Sequence, residues 1–424
     1  MSSETDGRRL PSCDDDGGEP GALSVAEAHA RIAASIVPVR GQETVTLRGA
    51  LGRVLAEDVH TSFDIPPNTN AAMDGFALRG AELDSEGGAR LTVVGTAWAG
   101  HPLDRGIGPG ECARIMTGAP IPAGADTVVM QERTETEGDA VVIRGGKPGS
   151  NVRTAGEDLP AGARALAAGT RVRPAELGVL ASLGLTEVVV IRRPSVALFA
   201  TGDELFEPGQ PLRPGGLYDS NRYTVWGMLT RLGMAIDDRG HLPDDRAAVE
   251  ASLMAAAAEN DAVITTGGVS VGEADHVGRV LREQGDVGFW RLTMKPGRPL
   301  NFGRFGDALF FGLPGNPVSA MVTFYQLVQP ALRRLAGAEY RPPETLRARA
   351  AVAFPKKPGR TEFQRAILSV ARDGTPIVEA GGPQGSGRLT SMARANCFVV
   401  IPAQSHGVAA DEWVDVQPFE GITG

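Results

Sequence analysis

The chain has 424 residues, 42% of them hydrophobic, and a formal net charge of −9. That length exceeds one ordinary core, so about two to four domains are expected. The acidic balance excludes a general binder of nucleic acid or membrane surfaces, and any anion site must be local. Cys13, Cys112 and Cys397 are scattered, and the six histidines form no HxxxH or HxxE pattern. Neither a disulfide framework nor a zinc site is expected. No segment is long and apolar enough to span a bilayer, and no signal-peptide core is visible, which suits the cytoplasm.

Residues 1–21 are polar and acidic and read as a disordered tail. Ser24 and Glu27 then have the spacing of a capping box ahead of VAEAHARIAASI, whose apolar residues recur at helical intervals. A second short helix is expected near 51–55. Residues 61–80 are crowded with turn-formers around Asp74, which a plain hairpin would explain. Between 90 and 142 short β-rich runs alternate with turns, as in a small β domain. Within it, Thr117 and Gly118 end a strand and lead into a Pro/Gly loop. Such loops often carry function, although a tight connection is an equal reading. Arg153 stands near Glu157 and Asp158, and surface ion pairing is the ordinary account. Pro174 opens a helix.

From Pro194 strands and helices alternate, which predicts a parallel sheet with helices on both faces. Ser220 or Asn221 is placed to cap one helix, and Asp244 or Asp245 the next. DAVITT, Gly267-Gly268 and HVGRVLREQG read as strand, Gly-rich loop and helix. That order suits phosphate, while a carboxylate at Asp275 would call for a hard cation such as Mg²⁺ beside it. An ordinary βα turn explains the same residues. Ligands sit at the C-terminal ends of such strands, and Asp203/Glu204, Asp244, 265–275 and Pro314 to Pro317 all fall there. Lys295 and Arg298 flank a turn in KPGRP and could grip one anion. Residues 336–424 return to β character, a small barrel or sandwich carrying Arg365, Ser386 and Arg388. No nucleophile is paired with a base. Carboxylates, Gly-rich loops and cations instead suggest metal-assisted cleavage or transfer at a phosphoanhydride.

NAAMDGFALR, IMTGAPIPAGADTVVMQE, RTAGED, ATGDEL, YDSN, TTGGVSVGEADHV, FWRLTMKPGRP, GLPGNPVSAMVTF, EFQRAIL and QGSGRLTSMARANCFVV follow one another in a fixed order. As a set they resemble the molybdopterin molybdenumtransferases, the molybdenum insertases that include the C-terminal domain of gephyrin. The resemblance covers nearly everything after residue 22. It implies an enzyme that takes adenylylated molybdopterin and molybdate, cleaves the adenylyl phosphoanhydride with a divalent cation such as Mg²⁺, and releases AMP and molybdenum cofactor. It implies a homodimer, with transient contacts to molybdopterin adenylyltransferase and molybdoenzyme chaperones.

Five segments follow: the tail 1–21; a discontinuous linker or dimerisation domain, 22–60 with 148–193; a small β domain, 61–147; a doubly wound molybdopterin-binding α/β domain, 194–335; and a C-terminal β-barrel-like domain, 336–424. By the same resemblance Asp275, Glu204, Asp74 and Asp158 are catalytic candidates, with Asp275 and Glu204 the candidates for Mg²⁺. Thr117, Arg153, Asp244, Ser270, Arg291, Lys295, Arg298, Pro314 and Pro317 would bind substrate. Arg365 and Ser386 would hold molybdate, a guanidinium and a hydroxyl on a tetrahedral oxyanion. Two departures stand out: Ala71 where the family's SAMDG-type motif has serine, and Arg291 where lysine is common. The nearest alternative, molybdopterin adenylyltransferase, typically carries TGGTG where this chain has TGGVS, and it has no place for the flanking β regions. A non-catalytic scaffold is the remaining class.

Overall fold

Helix α1 (Val25–Ser35) begins at the expected capping box: Glu27 N–H donates to Ser24 Oγ at 3.2 Å, and Ser24 N–H donates to the Glu27 carboxylate at 2.8 Å. The computed structural model describes residues 21–269 and 276–419. They fall into two compact units, one built on Thr46–Arg48 with Leu55–Val188 and the other on the rest. The short helix expected at 51–55 is instead a 3₁₀ turn at Leu47–Ala50. Gly52 lies at φ +79°, a left-handed conformation that a right-handed helix does not contain.

In the smaller unit, β1 (Gly75–Leu78), β2 (Ala89–Ala97), β3 (Glu111–Ile115), β4 (Thr127–Met130), β5 (Thr134–Glu137) and β6 (Ala140–Ile143) make one sheet in the order β4-β1-β3-β2-β6-β5. Only β2 and β3 run parallel. Alternation along the strands gives the sheet two apolar faces. Phe76, Leu78, Leu91 and Val129 lie on one, and Ala77, Ala97, Ile115 and Val128 on the other. Helix α2 (Pro174–Ser182) carries its proline at the start, where a missing N–H costs nothing.

The larger unit holds the α/β layer. Its elements are β7 (Ser195–Ala200), α3 (Asn221–Leu232), β8 (Ala235–His241), α4 (Arg246–Glu259), β9 (Ala262–Thr266), α5 (His276–Gln284), β10 (Asp286–Arg291), β11 (Pro299–Phe305) and β12 (Ala308–Leu313). The strand order is β8-β7-β9-β12-β11-β10. The first four strands are parallel, as expected, but β11 is antiparallel to both its neighbours. Between β11 and β12 only Gly306 and Asp307 intervene, with Gly306 at φ +59°. Two residues can make a hairpin but not a crossover. Helices cover both faces: α1 and α3 pack on one side, α4 and α5 on the other.

After PGNP the chain runs through α6 (Pro317–Thr323) and α7 (Gln329–Leu335), joined by a π-helical turn in which Gln329 N–H reaches Phe324 O. Pro330 has no N–H for an ordinary fourth-residue bond and crowds the preceding turn, so the ladder widens just before it. The C-terminal part contains β13 (Leu346–Ala350), β14 (Thr361–Val370), β15 (Pro376–Ala380), α8 (Leu389–Arg394), β16 (Cys397–Ile401) and β17 (Trp413–Pro418). They close as β14-β15-β13-β17-β16-β14, a five-stranded barrel. Small residues, among them Ala348, Ala366, Val378 and Val399, fill its core. Cys112 and Cys397 are buried thiols. Among the described residues no helix is long and apolar enough to cross a membrane.

Candidate functional site

The four parallel strands end level with one another. Ala200 is in register with both His241 and Thr266, and Thr266 with Leu313. The segments 201–204, 242–245, 267–269 and 314–317 therefore leave the sheet at one edge. They are stitched together there. Thr201 N–H donates to Thr266 O at 3.0 Å, Leu242 N–H to Ala200 O at 2.9 Å, and Gly267 N–H to Leu313 O at 2.9 Å. Gly267 sits at φ +90°, and a Cβ there would stand 2.5 Å from Thr201 Oγ1. Only glycine allows that approach. Ser270, Glu273 and Asp275 lie outside the described residues.

Asp203 and Asp244 come together at this edge. The charge of Asp244, then burial and a hydrogen bond between the two carboxyls, push Asp203 above the ordinary carboxylate range, with a further push from Glu204. Asp244 Oδ1 also stands 3.6 Å from His276 Nε2. Asp245, the second of the two residues proposed to open α4, is the cap: its carboxylate accepts from Ala248 N–H at 2.8 Å. Among the described residues no three His, Cys, Asp or Glu side chains gather as a metal site.

Below this edge lies a buried charge network that the sequence reading passed over. The cap of α3 is neither the Ser220 nor the Asn221 side chain but Asp219, which accepts Arg222 N–H at 3.0 Å, Arg222 Nε–H at 3.1 Å and stands 3.1 Å from His241 Nε2. Arg222 also forks onto Asp238, 2.7 Å to each oxygen, and pairs with Glu207. Asn221 is thereby freed to donate Nδ2–H to Gly315 O at 2.7 Å. Pro314 and Pro317 frame that glycine, and Pro317 opens α6.

A second group of candidates lies where the barrel meets α6. Leu292 N–H donates to Arg298 O at 2.7 Å, closing the turn that carries Lys295. Lys295 pairs with the buried Glu362, Nζ to Oε1 3.3 Å. Lys295 and Arg298 are partly exposed and Arg291 is exposed. Arg365, on β14, has no exposure at all. Its Nε–H donates to Ser391 Oγ at 2.9 Å and its Nη2 to the carbonyls of Pro383 and Gly385, at 2.8 and 3.1 Å. Its Nη1 is buried with no partner among the described residues. Burial brings the guanidinium down to about 10, which leaves it charged at neutral pH. Ser391, not Ser386, places its hydroxyl on the guanidinium. Ser386 contributes its carbonyl to Val318 N–H at 3.1 Å, joining the 383–387 loop to α6.

In the smaller unit Asp74 Oδ1 accepts both the N–H and the hydroxyl of Thr117, each at 2.7 Å. These two bonds hold the Asp74 carboxyl below its usual range, so it is an ionised acceptor and not an acid at neutral pH. Gly75 is required beside it, since a Cβ would stand 2.0 Å from Val129 O. Arg153 pairs in register with Asn70, and both Arg153 and Asp158 are exposed. Arg153 forms no ion pair with Glu157 or Asp158; Glu157 instead accepts Thr154 N–H at 3.1 Å.

Residues 23–184 match the family model described as MoeA N-terminal region (domain I and II), 197–334 that described as "Probable molybdopterin binding domain", and 347–419 the MoeA C-terminal region (domain IV). A molybdopterin molybdenumtransferase of Haemophilus influenzae is 41% identical over 385 residues, covering 90% of this chain and 95% of that protein. The chain belongs to the molybdopterin molybdenumtransferase family. As a member it is a transferase of molybdenum cofactor biosynthesis. A molybdopterin molybdenumtransferase from Nostoc sp. is 37% identical, covering 85% of each chain. The crystal structure of a molybdopterin biosynthesis moeA protein from Pyrococcus horikoshii superposes with a TM-score of 0.80 at 32% identity, over 94% of this chain and all of that one.

Proposed function

We propose that this chain cleaves adenylylated molybdopterin, transfers molybdenum from molybdate to the dithiolene and releases AMP and molybdenum cofactor. The observation that carries the reading is Arg365. Among the described residues no carboxylate pairs with this buried cation, and one arm, Nη1, is unpartnered. A buried charge left so is costly, and a tetrahedral oxyanion would complete it. Ser391, Pro383 and Gly385 fix the plane of the guanidinium, so the anion meets a fork already in place. The phosphates of adenylylated molybdopterin fall to the strand edge, where the half-buried Gly267 and Gly268 carry no side chain to block close approach.

A divalent cation, implied by the family resemblance, fits the hard oxygens there. Asp203 and Asp244 repel one another when both are ionised, and a cation held between them would relieve that repulsion. When bound it would neutralise charge on the phosphoanhydride. Asp74, ionised and fixed by Thr117, can accept a hydrogen bond from substrate but has no proton to give.

The test is AMP release from adenylylated molybdopterin and Mg²⁺, with and without molybdate. Molybdate-dependent release, abolished by EDTA, is the expected result. Release indifferent to molybdate would refute insertion. Consumption of ATP with free molybdopterin would replace it with adenylyl transfer.

A further inference from the structure

The side chain of Asn221 has two ends with different fates. Nδ2 lies 2.7 Å from the Gly315 carbonyl, which can only accept, so the amide orientation is fixed and the NH₂ faces Gly315. Oδ1 is then buried without a partner among the described residues, in a residue only 8% exposed. A residue placed there for packing alone would not leave an acceptor buried and unpaired. Nor is the amide needed to start α3, because Asp219 already caps it. What the amide does is hold residues 314–317.

That turn joins two parts of the site. Its N-terminal end leaves β12 at the strand edge, beside Gly267, whose N–H is bound to Leu313 O. Its C-terminal end opens α6, whose Val318 N–H is bound to Ser386 O, next to the carbonyls that grip Arg365. On the other side of Asn221 stands the Asp219–Arg222–Asp238 network, which anchors the start of α3. A rigid post therefore grips a turn of which Gly315 and Asn316 are exposed.

Resting on the molybdenum-insertion reading, we propose that Asn221 is a positioning residue: through Gly315 O it holds the 314–317 turn so that the phosphate edge and the Arg365 pocket keep their spacing. Asn221 acts on the substrates only through that turn.

Asn221→Asp is the informative variant. It keeps the size, and an acidic residue in the first turn favours the helix dipole. Its carboxylate cannot donate to Gly315 O. Asn221→Ala removes the bond without adding charge. Two readouts are compared with wild type, at matched thermal stability. One is deuterium exchange of peptides spanning 312–320. The other is the apparent KM for molybdate in AMP release, set against kcat. Both variants are expected to exchange faster there and to raise KM about tenfold, the effect of one ordinary hydrogen bond, with kcat changed less. Unchanged exchange would overturn the tether. Faster exchange with an unchanged KM would overturn its role in positioning. A wild type without molybdate-dependent release would overturn the insertion reading and, with it, the positioning role for that reaction. Variants equal to an active wild type overturn the positioning role alone.

Discussion

A guanidinium with no solvent exposure is stable only where its donors are used. Arg365 meets that condition only in part: three acceptors take up Nε and Nη2, and Nη1 has no partner among the described residues. Lysine carries the charge but is a point donor and cannot reproduce the fork. Arg365→Lys is therefore expected to lose about 2 kcal/mol of stability in urea denaturation and to raise the molybdate requirement for AMP release more than tenfold. A lysine variant with the wild-type molybdate response would remove Arg365 from the anion site. The guanidinium and the loop that holds it were legible as EFQRAIL and QGSGRLTSMAR, but the hydroxyl partner was not. Which serine faces β14 depends on how an irregular loop folds back, and no periodicity encodes that. The same holds for Asp203 and Asp244. Each is visible as an acid after a strand, yet their contact exists because two strands end in register.

At the scale of elements, local signals worked where local physics decides. The Ser24–Glu27 capping box and the β/α alternation after Pro194 depend on neighbours in sequence, and both appear as expected. The 51–55 helix did not form, because Gly52 takes a left-handed conformation that the apolar pattern could not reveal. The antiparallel turn at Gly306 was hidden because the alternation of strand and helix suggested crossovers throughout. Helix α1 also carries a testable electrostatic device. His29 Nδ1 lies 2.8 Å from the Tyr340 hydroxyl, and burial brings the imidazole down to about 4, against about 6.5 in an unfolded chain. The folded state thus binds its proton later than the unfolded one. Stability from a neutral His29 is fully present above about pH 6.5 and is lost as pH falls toward 4, on the order of 3 kcal/mol across that window. Urea midpoints measured between pH 7 and pH 4.5 should fall more steeply in wild type than in His29→Leu. Parallel slopes would show that the ring is not buried neutral.

At the scale of the molecule, the chain divides into two compact units with separate cores. Length and composition already required more than one domain, but not that α1 and the barrel would share the core of the α/β layer, as Ala28, Ile32, Phe363 and Phe398 do. Those contacts join residues distant in sequence, and apolar periodicity says only that a face is buried, not against what. Separate cores predict separate melting. Leu91 is 3% exposed within the sheet of the smaller unit. Truncating such a leucine costs about 2–5 kcal/mol through lost burial and the cavity it leaves. In differential scanning calorimetry, Leu91→Ala is expected to lower the transition of the smaller unit by several degrees and leave the other in place, because a multidomain chain need not unfold in two states. One transition, shifted as a whole, would mean that the two cores unfold as a single cooperative unit. A change in either would then be felt at the Arg365 pocket and at the Asp74–Thr117 pair alike.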